Sequence, residues 1–125
     1  MRLYGPVCGY AARSGADMAI RARRSGEITG AGEWPLFGVR NRTLVTPSLE
    51  SGARDSVERR TVLEVAGALR DISVSEESIS AGDLAAFSEL FTCTPQGITA
   101  VDSCGSVRYL RAMVLLVASG LGGLR

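Results

Sequence analysis

The sequence contains no histidine and no lysine; all 14 of its basic residues are arginine. Without histidine, this chain by itself offers no Ser-His triad, no imidazole base and no His-ligated metal site. Without lysine it cannot form a Schiff base with a carbonyl cofactor. That chemistry needs a side-chain amine that can deprotonate, and a guanidinium stays charged. Aromatic residues make up only 6%, which argues against base stacking, and a net charge of +1 gives no basic excess to attract nucleic acid. Cysteine is scarce and odd in number. Cys8, Cys93 and Cys104 are far apart, with no pair at metal-ligand spacing. Neither a metal site nor a disulfide framework is expected, and a reducing, cytoplasmic setting is the default.

Long hydrophobic runs are missing too. The uncharged run from Ala112 to Leu124 falls short of the roughly 18 apolar residues a membrane span needs. Gly120, Gly122 and Gly123 weaken it further as a helix. The N-terminal stretch MRLYGPVCGYAA, with one charge and a broken apolar run, makes a poor signal peptide. No membrane partner is expected.

What is present suits one folded domain: 125 residues, 46% of them hydrophobic. The stretch up to about Ser14 is read as a short helix closed by Gly15. Asp17–Arg23 alternates as a strand, and Ser25-Gly26 is a turn signal. A short strand at Glu27–Thr29 precedes the small-residue run Gly30-Ala31-Gly32. Leu36–Arg40 and Thr43–Thr46 read as a hairpin around Asn41-Arg42. Ser48–Arg54 is a loop. The clearest element is DSVERRTVLEVAGALR, Asp55–Arg70, with apolar residues at helical spacing, Asp55 as N-cap and Glu58 as its capping-box partner. Ile72–Ile79 alternates as a strand, and Ser80–Phe87 makes one or two helical turns. Glu89–Thr94 and Ile98–Ser103 form a strand pair around Pro95-Gln96-Gly97. Hairpin strands around one long helix predict a mixed α/β (α+β) domain.

Four segments, taken in order, resemble the C-terminal part of a class IV aminotransferase. This group uses pyridoxal phosphate on fold type IV and includes the branched-chain, D-amino acid and (R)-selective amine transaminases. The segments are GADMAI with SGEITGAGEWPLFGV (15–20 and 25–39), LVTPSLESG (44–52), ARDSVERRTVLEVA (53–66) and ELFTCTPQGITAV (89–101). Order and spacing agree over residues 15–101, with a one-residue shortening in the last segment. The resemblance divides the chain into a partial aminotransferase-like domain, residues 1–106, and a divergent apolar tail, residues 107–125.

The resemblance implies the fold of that C-terminal domain and a pyridoxal 5'-phosphate cofactor. It implies amino-group transfer between an amine or amino acid and a 2-oxo acid. It also implies a phosphate cup made by the Thr94 hydroxyl and the backbone amides of Val57 and Glu58. The physics of the cup is general: a helix start offers free N–H groups and a partial positive charge to an anion.

Several positions depart from the family. The glutamate that pairs with the pyridine nitrogen falls at Gly30, an asparagine at Pro35, the helix-start glycine at Ser56 and its threonine at Glu58. The catalytic lysine belongs at or before Met1. Thr94 answers equally well to a phosphate contact and to a plain strand position. Val57 and Glu58 fit a self-capped helix better, since Asp55 and Glu58 repel a dianion. Arg59 reads as part of a solvated face, Trp34 as packing, and Cys93 as a small buried strand residue. The expectation is therefore a chain that does not transaminate alone and has no catalytic residue of its own. The alternative is a non-catalytic interaction module that buries an apolar face in a homo-oligomer.

Overall fold

The computed structural model describes residues 1–4, 18–104 and 107–121. Among them, ten strands form two five-stranded sheets. The first sheet has the order β10-β9-β1-β2-β3. Its strands are β1 (Arg2–Tyr4), β2 (Met18–Ala22), β3 (Ile28–Ala31), β9 (Ser103–Cys104) and β10 (Val107–Arg108). The second has the order β6-β5-β4-β7-β8. It comprises β4 (Leu36–Arg40), β5 (Thr43–Pro47), β6 (Ser73–Glu77), β7 (Glu89–Thr94) and β8 (Gly97–Val101).

Strand periodicity sorts the second sheet's side chains between two cores. Leu36, Val45, Leu90 and Val101 meet Leu3, Ile20 and Ile28 of the first sheet. The alternate residues Phe37, Leu44, Phe91, Ile98 and Ala100 meet α1 (Val57–Ala68) and α2 (Ala112–Leu121) through Val62, Ala66, Val114 and Val117. The layers are thus sheet, sheet and helices, the mixed α/β class expected.

Most local readings agree with the structure. The β4–β5 hairpin turns at Asn41-Arg42, where φ is 49° and 60°. Two left-handed residues match the twist of the strands they join. The stretch 80–87 holds a 3-10 helix, Ala81–Ala86, and the Asp83 carboxylate accepts both the Ser80 N–H and hydroxyl.

Other readings are corrected. Arg2–Tyr4 is a strand, not helix, because β2 and β9 flank it on both sides; the rest of that predicted helix lies outside the described residues. Cys104 is disulfide-bonded, contrary to the expected absence of disulfides; cysteine spacing in the sequence alone does not reveal such a bond. The tail carries β10, antiparallel to β9, and α2, which continues through Gly120 because packing on α1 and β8 outweighs the glycine's propensity cost. Leu110, Leu115 and Leu116 stay exposed on and just before α2. Among the described residues no helix is long and apolar enough to cross a membrane.

Candidate functional site

The start of β4 and the ends of β5 and β7 share one end of the second sheet. Strand β4 runs antiparallel to both neighbours. Leu36 pairs with Thr92, and the Gly38–Val45 pair brings Leu36 level with Pro47. Helix α1 begins at this end. Its N-cap is Ser56, whose hydroxyl oxygen accepts the Arg59 N–H at 3.1 Å. Asp55, the expected cap, stands one residue outside and faces Arg60 at 3.8 Å. With the cap at Ser56, Glu58 is the second helical residue rather than the third, so it makes no capping box.

Arg59 is the tether of the helix start. Its Nη2 donates to the Pro47 carbonyl at 3.2 Å and pairs with the Glu76 carboxylate on β6. The side chain is 3% exposed, which corrects the solvated-face reading. The reason is tertiary: a parallel strand brings Glu76 beside the end of β5. The buried Arg59 Nε has no hydrogen-bond partner.

A narrow cleft of about 10 Å³, room for one water molecule, lies between this helix start and the β3–β4 connection. Arg21, Thr29, Trp34, Arg54, Ser56 and Arg59 stand on its walls. Arg21 crosses from β2. Its Nε donates to the Thr29 hydroxyl at 2.9 Å and its Nη1 to the Gly32 carbonyl. The guanidinium fills the room a side chain at residue 30 would need. A Cβ on Gly30 would lie 2.6 Å from Arg21 Nη2 and 2.6 Å from the Trp34 carbonyl oxygen. Burial first, and the neighbouring Arg54 charge second, hold Arg21 below the usual arginine range, while Glu33 opposes them.

Two threonines of 89–101, Thr92 and Thr94, are already engaged. The buried Thr92 hydroxyl donates to the Pro35 carbonyl at 2.6 Å, joining the strand to the β3–β4 connection. The Thr94 hydroxyl oxygen accepts the Gln96 N–H at 3.2 Å and its proton points to Gln96 Oε1 at 3.0 Å. Thr94 therefore closes its own turn. Glu58 lies near the same strand end. Burial and the Glu58 carboxylate together push the Cys93 thiol up, which leaves it a poor nucleophile. Val57 is 63% exposed. The fold thus gathers the α1 start and Thr94 at one end of the sheet, but with a carboxylate among them. Among the described residues no cluster of acidic, histidine or cysteine side chains could hold a metal ion. Sequence reading missed Arg21 and Arg54 as site residues; strand alternation marks Arg21 only as the neighbour of inward-facing Ile20.

Residues 9–104 match the family model for amino-transferase class IV. The chain belongs to this family. The branched-chain aminotransferase of Thermoproteus uzoniensis is 31% identical, with a TM-score of 0.78 over 84% of this chain and 36% of that one. The Escherichia coli branched-chain aminotransferase is 27% identical, with a TM-score of 0.74 over 84% of this chain and 37% of that one. A Legionella pneumophila protein described as a putative 4-amino-4-deoxychorismate lyase shares the fold at 22% identity and a TM-score of 0.79, over 86% of this chain and 41% of that one. No curated protein matches in sequence. The chain thus spans about two-fifths of the length of these solved relatives or slightly less.

Class IV aminotransferases depend on pyridoxal phosphate and act on amino acids and 2-oxo acids. The residues of this chain do not fit that cofactor. It has no lysine to hold it, a guanidinium occupies the side-chain space of residue 30, and Glu58 sets negative charge at the helix start. Nor does the fold readily take the missing carboxylate back. Gly30→Ala is expected to lower stability by about 1–3 kcal/mol, the usual cost of overpacking, and Gly30→Glu by no less. Thermal unfolding checks this, with Arg21→Ala added in both backgrounds. Removing Arg21 should recover little, because the Trp34 backbone oxygen still blocks the Cβ.

Proposed function

We propose that this chain is the cofactor-facing part of the class IV aminotransferase fold with its chemistry lost, and that it does not transfer amino groups on its own. The observation that carries this reading is the Arg21 guanidinium packed against Gly30. The family places a carboxylate there to keep the pyridine ring protonated, and a cation in the same space favours the unprotonated ring. The chain itself supplies no lysine for the transfer. Amino acids or amines, 2-oxo acids and pyridoxal phosphate belong to this proposal as the family's reactants and cofactor.

The test is a transamination assay on the purified chain with pyridoxal phosphate, a branched-chain amino acid and a 2-oxo acid. The expected rate is that of free cofactor without protein. A protein-dependent rate that saturates with amino donor would overturn the proposal.

A further inference from the structure

We propose that a second copy of this chain pairs with the outer edge of β6, antiparallel and about a two-fold axis at Ser75, so that the second sheets of two copies join into one. This does not depend on whether the chain transaminates.

Three observations converge. First, β6 is an open edge. Among the described residues the two sheets end in four edge strands. All of β3 is buried, β8 is buried at three of its five residues, and β10 is only two residues long. Strand β6 runs for five residues, pairs with β5 on one side only, and is exposed at Ser73, Val74 and Glu76. It contains no proline and no bulge, devices that blunt an edge against pairing.

Second, the backbone fixes which groups are free. The Ser73 N–H donates to the Arg42 carbonyl, and the Glu77 carbonyl accepts the Ser48 N–H. Ser73, Ser75 and Glu77 therefore turn toward β5, and strand alternation turns the N–H and C=O groups of Val74 and Glu76 outward. In an antiparallel copy, Val74 of each chain faces Glu76 of the other and exchanges both bonds with it. The two pairs make four bonds, with Ser75 facing Ser75 between them.

Third, the strand is bipolar. Beside its start, Arg42 and Arg70 are exposed, with one aspartate, Asp71, to offset them. Its end carries Glu76 and Glu77 and opens on a groove that Glu27 and Glu50 also line. Glu76 and Glu77 pair with Arg59 and Arg40 of their own chain, yet their side chains remain 50% and 36% exposed. An antiparallel copy sets the arginine end of each chain against the glutamate end of the other. Charge also selects the register. A slip of two residues one way sets Glu76 against itself, and the other way brings Glu77 to Asp71.

Sedimentation equilibrium of the full chain, loaded from about 1 μM to about 1 mM, the span of weak association, tests this. A monomer–dimer equilibrium is expected. Val74→Pro removes an outward N–H and no bond to β5, so it should keep the fold by circular dichroism and leave a monomer. Ser75→Cys places two thiols face to face on the axis, where Cα atoms lie about 4.5 Å apart, and should cross-link under mild oxidation. Ser73→Cys, which faces Glu77, should not. The unaltered chain, whose free Cys93 is buried, is the blank. Should Val74→Pro unfold, the cysteine pair decides. A monomer at every loading would overturn the proposal, as would a dimer that survives Val74→Pro or equal cross-linking by the two cysteine variants. A monomer that instead binds an added arginine-rich peptide, and loses it on Val74→Pro, would overturn it too by assigning the edge to another partner.

Discussion

Phe91→Ala is expected to cost about 3–5 kcal/mol of stability, the range for deleting a buried aromatic side chain. In a domain of this size that corresponds to a Tm drop of roughly 10–20 °C. Phe91 is fully buried and stacks on Phe37, with ring centroids 4.9 Å apart and an interplanar angle of 15°. The pair sits across the β4–β7 ladder on the face covered by α1 and α2. Truncation removes the stacking and leaves a void that closely paired strands cannot close by sliding, because a register shift would turn every side chain to the wrong face. Denaturant unfolding monitored by circular dichroism measures the loss. Phe91→Leu, which keeps most of the volume, should cost much less. Equal costs for the two would mean that volume is not what holds this face.

Glu89→Ala is the second large effect, about 2–4 kcal/mol from one buried and one half-buried donor left without acceptors. Glu89 begins β7, is 3% exposed and caps a helix far from it in sequence. One carboxylate oxygen accepts the Met113 N–H at 3.1 Å and the other the Val114 N–H at 2.9 Å. Helix α2 needs this help, since Tyr109-Leu110-Arg111 before it contains no residue suited to cap. Glu89→Gln keeps one acceptor but turns an amide donor toward the other N–H, so it should lose an intermediate amount. Chemical denaturation of the three proteins checks the order. A Gln variant as unstable as the Ala variant would mean that the carboxylate's charge, not its acceptor geometry, holds the helix.

Glu89 also shows what the sequence could not convey. The β4–β5 hairpin was legible because strand alternation and turn chemistry act within a dozen residues. The long helix was legible for the same reason, its cap displaced by one residue because Asp55 and Ser56 both suit the role. The resemblance grouped Thr94 with the α1 start at Val57 and Glu58, and in the fold β7 and α1 lie against each other. The contacts that decide the chemistry there were not legible. Arg59 is buried only because parallel β6 delivers Glu76, and Arg21 reaches Gly30 because the β2–β3 ladder pairs the two residues directly. Strand β1 has no local signature because its partner β9 lies near the other end of the sequence. Local pattern carries no information about partners so distant.

That pairing has a consequence in time. Parallel alignment of Arg2 with Ser103 closes a loop of nearly the whole chain, whereas every strand of the second sheet lies between Leu36 and Val101. Closing long loops delays folding, so the second sheet with α1 should form first and the first sheet should complete last. Arg59 and Arg54 belong to the early unit, and Arg21 arrives on β2 with the late one. The arginine cleft is therefore assembled in the final step of folding and is among the first features lost when the native state opens.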